Sequence, residues 1–101
     1  MTNAVFYVSY RLKRGVSISD FLNASEKLHK EHLSKQKGYV SWKQLVSGKT
    51  WVDIATFETM EDLNNFVAAS RKPNEVAKNF YSYINLFSCK ARKFSVEKNY
   101  D

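Results

Sequence analysis

The order of segments constrains this chain more than any single motif. Val5–Leu12 is an apolar-rich run, and Ile18–Gln36 carries helical periodicity. Tyr39–Val46 and Trp51–Glu58 flank the tight turn Ser47-Gly48-Lys49-Thr50. Met60–Arg71 is helical again, Glu75–Ile84 reads as a short extra helix, and Leu86–Val96 closes as a strand. Strand, helix, hairpin, helix, strand is the split βαβ order of an α+β, ferredoxin-like domain. One copy gives a four-stranded antiparallel sheet with helices on one face, so the other face needs cover.

The 101 residues suffice for one domain and one modest core, with an ordered part over 4–96 and a short C-terminal tail. Aromatic residues reach 15%, which in so short a chain favours a bulky core, a pocket or an interface. The net charge is +6, but the basic residues are scattered: Lys27, Lys30, Lys35 and Lys37 on the first helix, Lys90, Arg92 and Lys93 on the last strand. No motif gathers them, which argues against nucleic acid as a partner. The single Cys89, read as an inert buried thiol, excludes an internal disulfide and fits a reducing compartment. The start Met1-Thr2-Asn3-Ala4 lacks the features of a signal peptide, and no apolar stretch approaches a membrane span. The expectation is a cytoplasmic protein with no membrane partner.

Alternation assigns faces. Phe6, Val8, Tyr10 and Leu12 point one way, and Val5, Tyr7, Ser9 and Arg11 the other. Ser17 or Ser19 caps the first helix, whose inner face is Ile18, Phe21, Leu22, Ser25, Leu28, His29 and His32, with Gly38 as the stop. A two-residue loop at Gly48-Lys49 places Val46 opposite Trp51, Gln44 opposite Asp53, Trp42 opposite Ala55, and Val40 opposite Phe57. Thr59 caps the second helix, and Pro73 breaks it. The last strand carries Leu86, Phe87, Cys89, Ala91, Phe94 and Val96, and its pattern falters after Arg92, which suggests a bulge there.

Two sets of residues carry candidate chemistry. Gln44 and Asp53 lie among Trp42, Trp51, Phe57 and Phe21, an apolar wall with few polar groups, as small-molecule sites are built. An Asp in such a wall loses hydration and its pKa rises, whereas an Asp at the sheet rim stays in water. His29 and His32 share a helix face, and either could approach Asp53 or Tyr10 to move protons near neutral pH. His-x-x-His without further ligands is no metal motif, so neither metal nor cofactor is expected.

The stretches Gly38-Tyr39-Val40-Ser41, Thr50-Trp51-Val52-Asp53-Ile54 and Phe57-Glu58-Thr59-Met60-Glu61-Asp62 resemble the dimeric α/β-barrel superfamily, in particular its antibiotic-biosynthesis-monooxygenase-like branch. The resemblance implies a homodimer whose two sheets join into a barrel, with a pocket in each subunit between sheet and helices. It implies cofactor-free oxidation of a small aromatic or quinol-like molecule by O₂, or a non-catalytic module that binds a hydrophobic ligand. Haem-degrading relatives use Asn, Trp and His where this chain has Tyr10, Phe57 and no histidine between Thr59 and Asn85. Tyr10, Asp53, His29 and His32 are the candidate catalytic residues. Trp42, Trp51, Phe57, Gln44 and Phe21 are the candidate ligand wall.

Overall fold

A computed structural model describes residues 2–100. Strand β1 (Ala4–Leu12) leads to helix α1 (Ile18–Glu31) and a single 3₁₀ turn (Leu33–Lys35). The hairpin β2 (Tyr39–Ser47) and β3 (Thr50–Phe57) follows, then α2 (Met60–Ala69), α3 (Glu75–Ser82) and β4 (Ile84–Ser95). The strands form one antiparallel sheet in the order β2-β3-β1-β4, the α+β ferredoxin-like arrangement. Among the described residues no helix is long and apolar enough to cross a membrane.

Local chemistry sets most of the boundaries. Ser17, not Ser19, caps α1 by accepting the Asp20 amide at 3.2 Å. Thr59 Oγ1 does the same for Asp62 at 3.0 Å, and Asn74 Oδ1 for Ala77 at 2.9 Å. Gly48 has φ 60° while no non-glycine among the described residues has positive φ, so the hairpin turns through a glycine-first, type II′ loop. Phe21 is fully buried at the centre of one cluster, edge-on to Trp51 at 5.1 Å and stacked on Phe80 at 5.4 Å. A second cluster joins Ala4, Leu33, Ala55, Phe57 and Leu63.

Several details depart from the sequence expectation. Helix α1 ends at Glu31, five residues early, because His32 leaves the helical region (φ −136°, ψ −63°). The Gln36 side chain donates to the His32 carbonyl at 3.1 Å and replaces the lost helical bond. The inner face of α1 is Phe21, Ala24, Ser25 and Leu28, while Ile18 and Leu22 stay exposed.

The hairpin register holds from Ser47↔Thr50 to Ser41↔Thr56 and then shifts, so Tyr39, not Val40, sits opposite Phe57. Val40 is exposed, whereas the Tyr39 ring meets Phe57 edge-on at 6.3 Å. The bulge in β4 lies at Leu86–Cys89, not after Arg92: Ser9 pairs with Lys90 and Arg11 with Asn85, which leaves four residues facing Tyr10 alone. Ser88 Oγ closes this bulge, accepting the Arg11 amide at 2.8 Å and donating to the Asn85 carbonyl at 2.6 Å. Phe87 is thereby turned wholly into solvent, and Cys89 is exposed rather than buried.

Candidate active site

Helix-facing side chains alternate along β1 and β3, and Tyr10 pairs with Trp51 across the two strands. Asp53, two residues on, is Tyr10's diagonal neighbour on that face, within reach of a long side chain. The Tyr10 hydroxyl donates to Asp53 Oδ1 at 2.8 Å, and both residues are buried. Asp53 is only 9% exposed, although no cation pairs with it among the described residues. Burial pushes its pKa up to about 7, against the opposing pull of the Tyr10, Trp42 and Gln44 donors. Burial first, and then the Asp53 charge, pushes Tyr10 far above the ordinary tyrosine range. The pair therefore holds one titrating proton near neutrality, on the carboxyl.

A cavity of about 240 Å³ opens over this pair, between the sheet and the helices. Its floor is Phe6, Val8, Tyr10, Asp53 and Ala55, and its walls come from both hydrophobic clusters, including Leu28, Leu33, Ala77 and Phe80. Leu86 and Cys89 of the β4 bulge complete one side, and partial loss of hydration at the cavity edge, with the nearby Asp53 charge, raises the thiol pKa of the otherwise exposed Cys89.

The candidate residues divide in position. Tyr10, Asp53, Trp42 and His32 line the cavity. Trp51, Phe57 and Phe21 do not: they stand behind the lining as core, where Phe21 packs on Trp51 and Phe80, and Phe57 on Phe66. Gln44 lies behind it too, donating to Ser25 Oγ at 3.1 Å, while Ser25 donates to the Phe21 carbonyl at 2.9 Å. His29 is turned away, against the Tyr39 ring at 5.7 Å. No histidine is bonded to Asp53 among the described residues; Tyr10 takes that place.

His32 Nδ1 lies 3.2 Å from Asn74 Nδ2 and 3.4 Å from Gln36 Nε2. Because Asn74 Oδ1 is committed to the Ala77 amide, its NH₂ must face the ring, so His32 Nδ1 accepts and Nε2 carries the hydrogen. The helix break at His32 is what separates the two imidazoles, and 3.6-residue spacing could not foresee it. Phe66, Ser70 and Tyr81 also reach the cavity, from α2, its C-terminal cap and α3, and were not among the candidate site residues. Periodicity puts Phe66 and Ser70 on the apolar face of the second helix but gives no sign that this face borders a cavity, and it gives no signal for Tyr81. Among the described residues no three His, Cys, Asp or Glu side chains gather as a metal site would need.

No family model matches the sequence, and no curated protein matches it. Solved structures do. SnoaB, a cofactor-independent oxygenase from Streptomyces nogalater, aligns with a TM-score of 0.75 at 12% identity, covering 98% of this chain and 97% of that one. A candidate antibiotic biosynthesis monooxygenase from Nitrosomonas europaea aligns with a TM-score of 0.67 at 16% identity, over 94% and 90% of the two chains. This chain has the antibiotic-biosynthesis-monooxygenase-like fold. The same fold serves the hydroxynitrile lyase from Passiflora edulis, with a TM-score of 0.66, 17% identity and coverage of 98% and 97%. Identities this low carry the fold alone, and the chemistry follows from the residues of this chain.

Proposed function

We propose that this protein is a cofactor-independent monooxygenase acting on a compact aromatic or quinol-like molecule, with Asp53 as its general base. The observation that carries the reading is the Asp53 carboxyl, buried on the floor of an apolar cavity with its pKa raised to about 7. A base poised near the working pH combines a useful ionised fraction with driving force for proton transfer. The Tyr10 hydrogen bond fixes Oδ1 and so holds the carboxyl against the cavity that it lines. A cavity of about 240 Å³ lies just below the roughly 300 Å³ floor of common ligand pockets, so the substrate is small.

The chemistry closes without an added cofactor. Asp53 takes a proton from an activated CH₂ group, and the carbanion combines with O₂ to give a peroxide, which Asp53 reprotonates. Asp53 then removes the second hydrogen, the O–O bond breaks, and the departing hydroxide takes the proton back. The sum is CH₂ + O₂ → C=O + H₂O, with the carboxylate regenerated. His32 lines the same cavity, as a second group able to relay protons; His29 has no part in the scheme.

The protein works as a homodimer in this reading. The outer sheet face carries Val5, Tyr7, Leu45, Val52, Ile54 and Phe94, and Leu45 and Phe94 are more than 40% exposed in the protomer. Covering each such side chain contributes roughly 1.5–3 kcal/mol before ordering costs.

O₂ uptake with quinol and anthrone-type substrates tests the activity. One O₂ consumed per substrate, one ¹⁸O from ¹⁸O₂ in the product, and loss of turnover in Asp53→Asn are expected; turnover unchanged in that variant refutes the assignment. The nearly all-apolar lining also favours a second reading, a non-catalytic ligand-binding module. Tight binding of such molecules with no O₂ uptake would establish it.

A further inference from the structure

The side of the cavity opposite the sheet holds a group that the proposed proton transfer leaves idle. Tyr81, on α3, lines the same cavity as Asp53 and Tyr10. Its ring packs edge-on to Phe80 at 5.6 Å between centroids, which restricts its swing. Ser70, at the end of α2, lines the same cavity as Tyr81. Ser70 donates its own hydrogen to the Phe66 carbonyl at 2.9 Å, so it offers Tyr81 a lone pair and no proton. Burial raises the Tyr81 pKa above the ordinary value, which keeps the phenol protonated and a donor.

The two cavity phenols therefore differ. Tyr10 has committed its hydrogen to Asp53. Among the described residues no such hydrogen bond ties the Tyr81 hydroxyl, which lines the cavity, so its hydrogen is open to an acceptor on a ligand, and Ser70 keeps its own bond to Phe66. Removal of a proton at Asp53 leaves an electron pair on the ligand. Among apolar neighbours such as Val8, Leu28 and Ala77, that pair needs a donor aimed at it.

We propose that Tyr81 donates the hydrogen bond that receives the oxyanion created when Asp53 deprotonates the ligand. The ligand class follows: an aromatic molecule whose acidic hydrogen is conjugated through the ring to an oxygen substituent. The proton goes to the Asp53 carboxylate, the electron pair moves onto the ligand oxygen facing Tyr81, and no bond of Tyr81 breaks. The inference rests on Asp53 acting as the base in this cavity, and needs no reaction with O₂.

The test uses 4-nitrophenol, whose ionisation is read by absorbance and whose anion spreads charge over oxygens at both ends. In Tyr81→Phe the bound probe's ionisation constant falls about tenfold relative to wild type, one pKa unit. Tyr10→Phe, which removes a hydroxyl whose hydrogen is already committed to Asp53, moves it by less. Ser70→Ala, which removes the competing acceptor, raises the constant or leaves it as in wild type, and serves as an independent check if Tyr81→Phe melts early. An unchanged constant in Tyr81→Phe with the probe still bound overturns the proposal and leaves the base assignment standing. A lowered constant in Ser70→Ala overturns it as well. The tenfold fall without O₂ uptake by any quinol supports the Tyr81 assignment and removes the oxygenase reading. Failure of wild type to bind the probe at millimolar concentration overturns both.

Discussion

Asp53→Asn separates the stability cost of the buried carboxyl from its chemistry. Asp53 titrates at about 7 in the folded protein, against 3.8 for the same side chain in water, because burial disfavours the charged form. A raised carboxyl pKa means that the folded state binds the proton more tightly than the unfolded chain. The carboxyl therefore leaves stability untouched below about pH 3.9, subtracts progressively above it, and reaches its full penalty above about pH 7. A rise from 3.8 to about 7, at about 1.36 kcal/mol for each tenfold change in proton affinity, makes that penalty about 4 kcal/mol. Asparagine keeps an oxygen for the Tyr10 hydroxyl and removes the titration, but its NH₂ meets the Trp42 and Gln44 donors, at about 1 kcal/mol per mismatched bond. The absolute change at one pH mixes these effects, whereas the pH dependence isolates the carboxyl. Urea unfolding of both proteins from pH 4 to pH 9 is the assay. The stability of Asp53→Asn relative to wild type should rise by about 3–4 kcal/mol across that range, mostly between pH 4 and 7. A difference that stays flat would show that Asp53 is hydrated in solution, and the poised base would fall with it.

Three further outcomes follow from the same geometry. In wild type, kcat/KM for any substrate found should rise with pH and level off above an apparent pKa near 7, as Asp53 ionises; a profile that falls through that range would assign the base elsewhere. Gly38→Ala should lower stability by about 2 kcal/mol or more in a thermal melt, because Gly38 has φ 79° and an added Cβ would lie 2.6 Å from Asp62 Cγ; a melting point within a degree of wild type would refute that packing. If wild type is the proposed homodimer, Ile54→Lys on the outer sheet face should give a monomer in light scattering at micromolar concentration while leaving the far-UV spectrum unchanged; a persistent dimer would place the interface elsewhere.

What the sequence determined by itself was the architecture. Alternation along β1, the Gly48-Lys49 turn and the capping serine and threonine act over a few residues, so element order, the hairpin register as far as Ser41 and the inward direction of Tyr10 and Asp53 were legible, while the shift that sets Tyr39 opposite Phe57 was not. A register slip of one residue would have reversed Asp53, and the glycine that needs positive φ at the turn prevents it.

The tertiary structure decided which inward residues meet open space. Trp51, Phe57 and Phe21 have the same polarity pattern as Trp42, yet they fill the two clusters while Trp42 borders the gap between them. His29 and His32 share a helical stripe on paper. The break at His32, stabilised by Gln36 and by the cap of α3 42 residues away, sends them to different places. The β4 bulge depends on Ser88 reaching Arg11 across the sheet, a contact 77 residues apart in sequence. Periodicity reports which face a side chain takes. Whether that face is packed solid or borders a cavity depends on the volumes of residues far away in the chain.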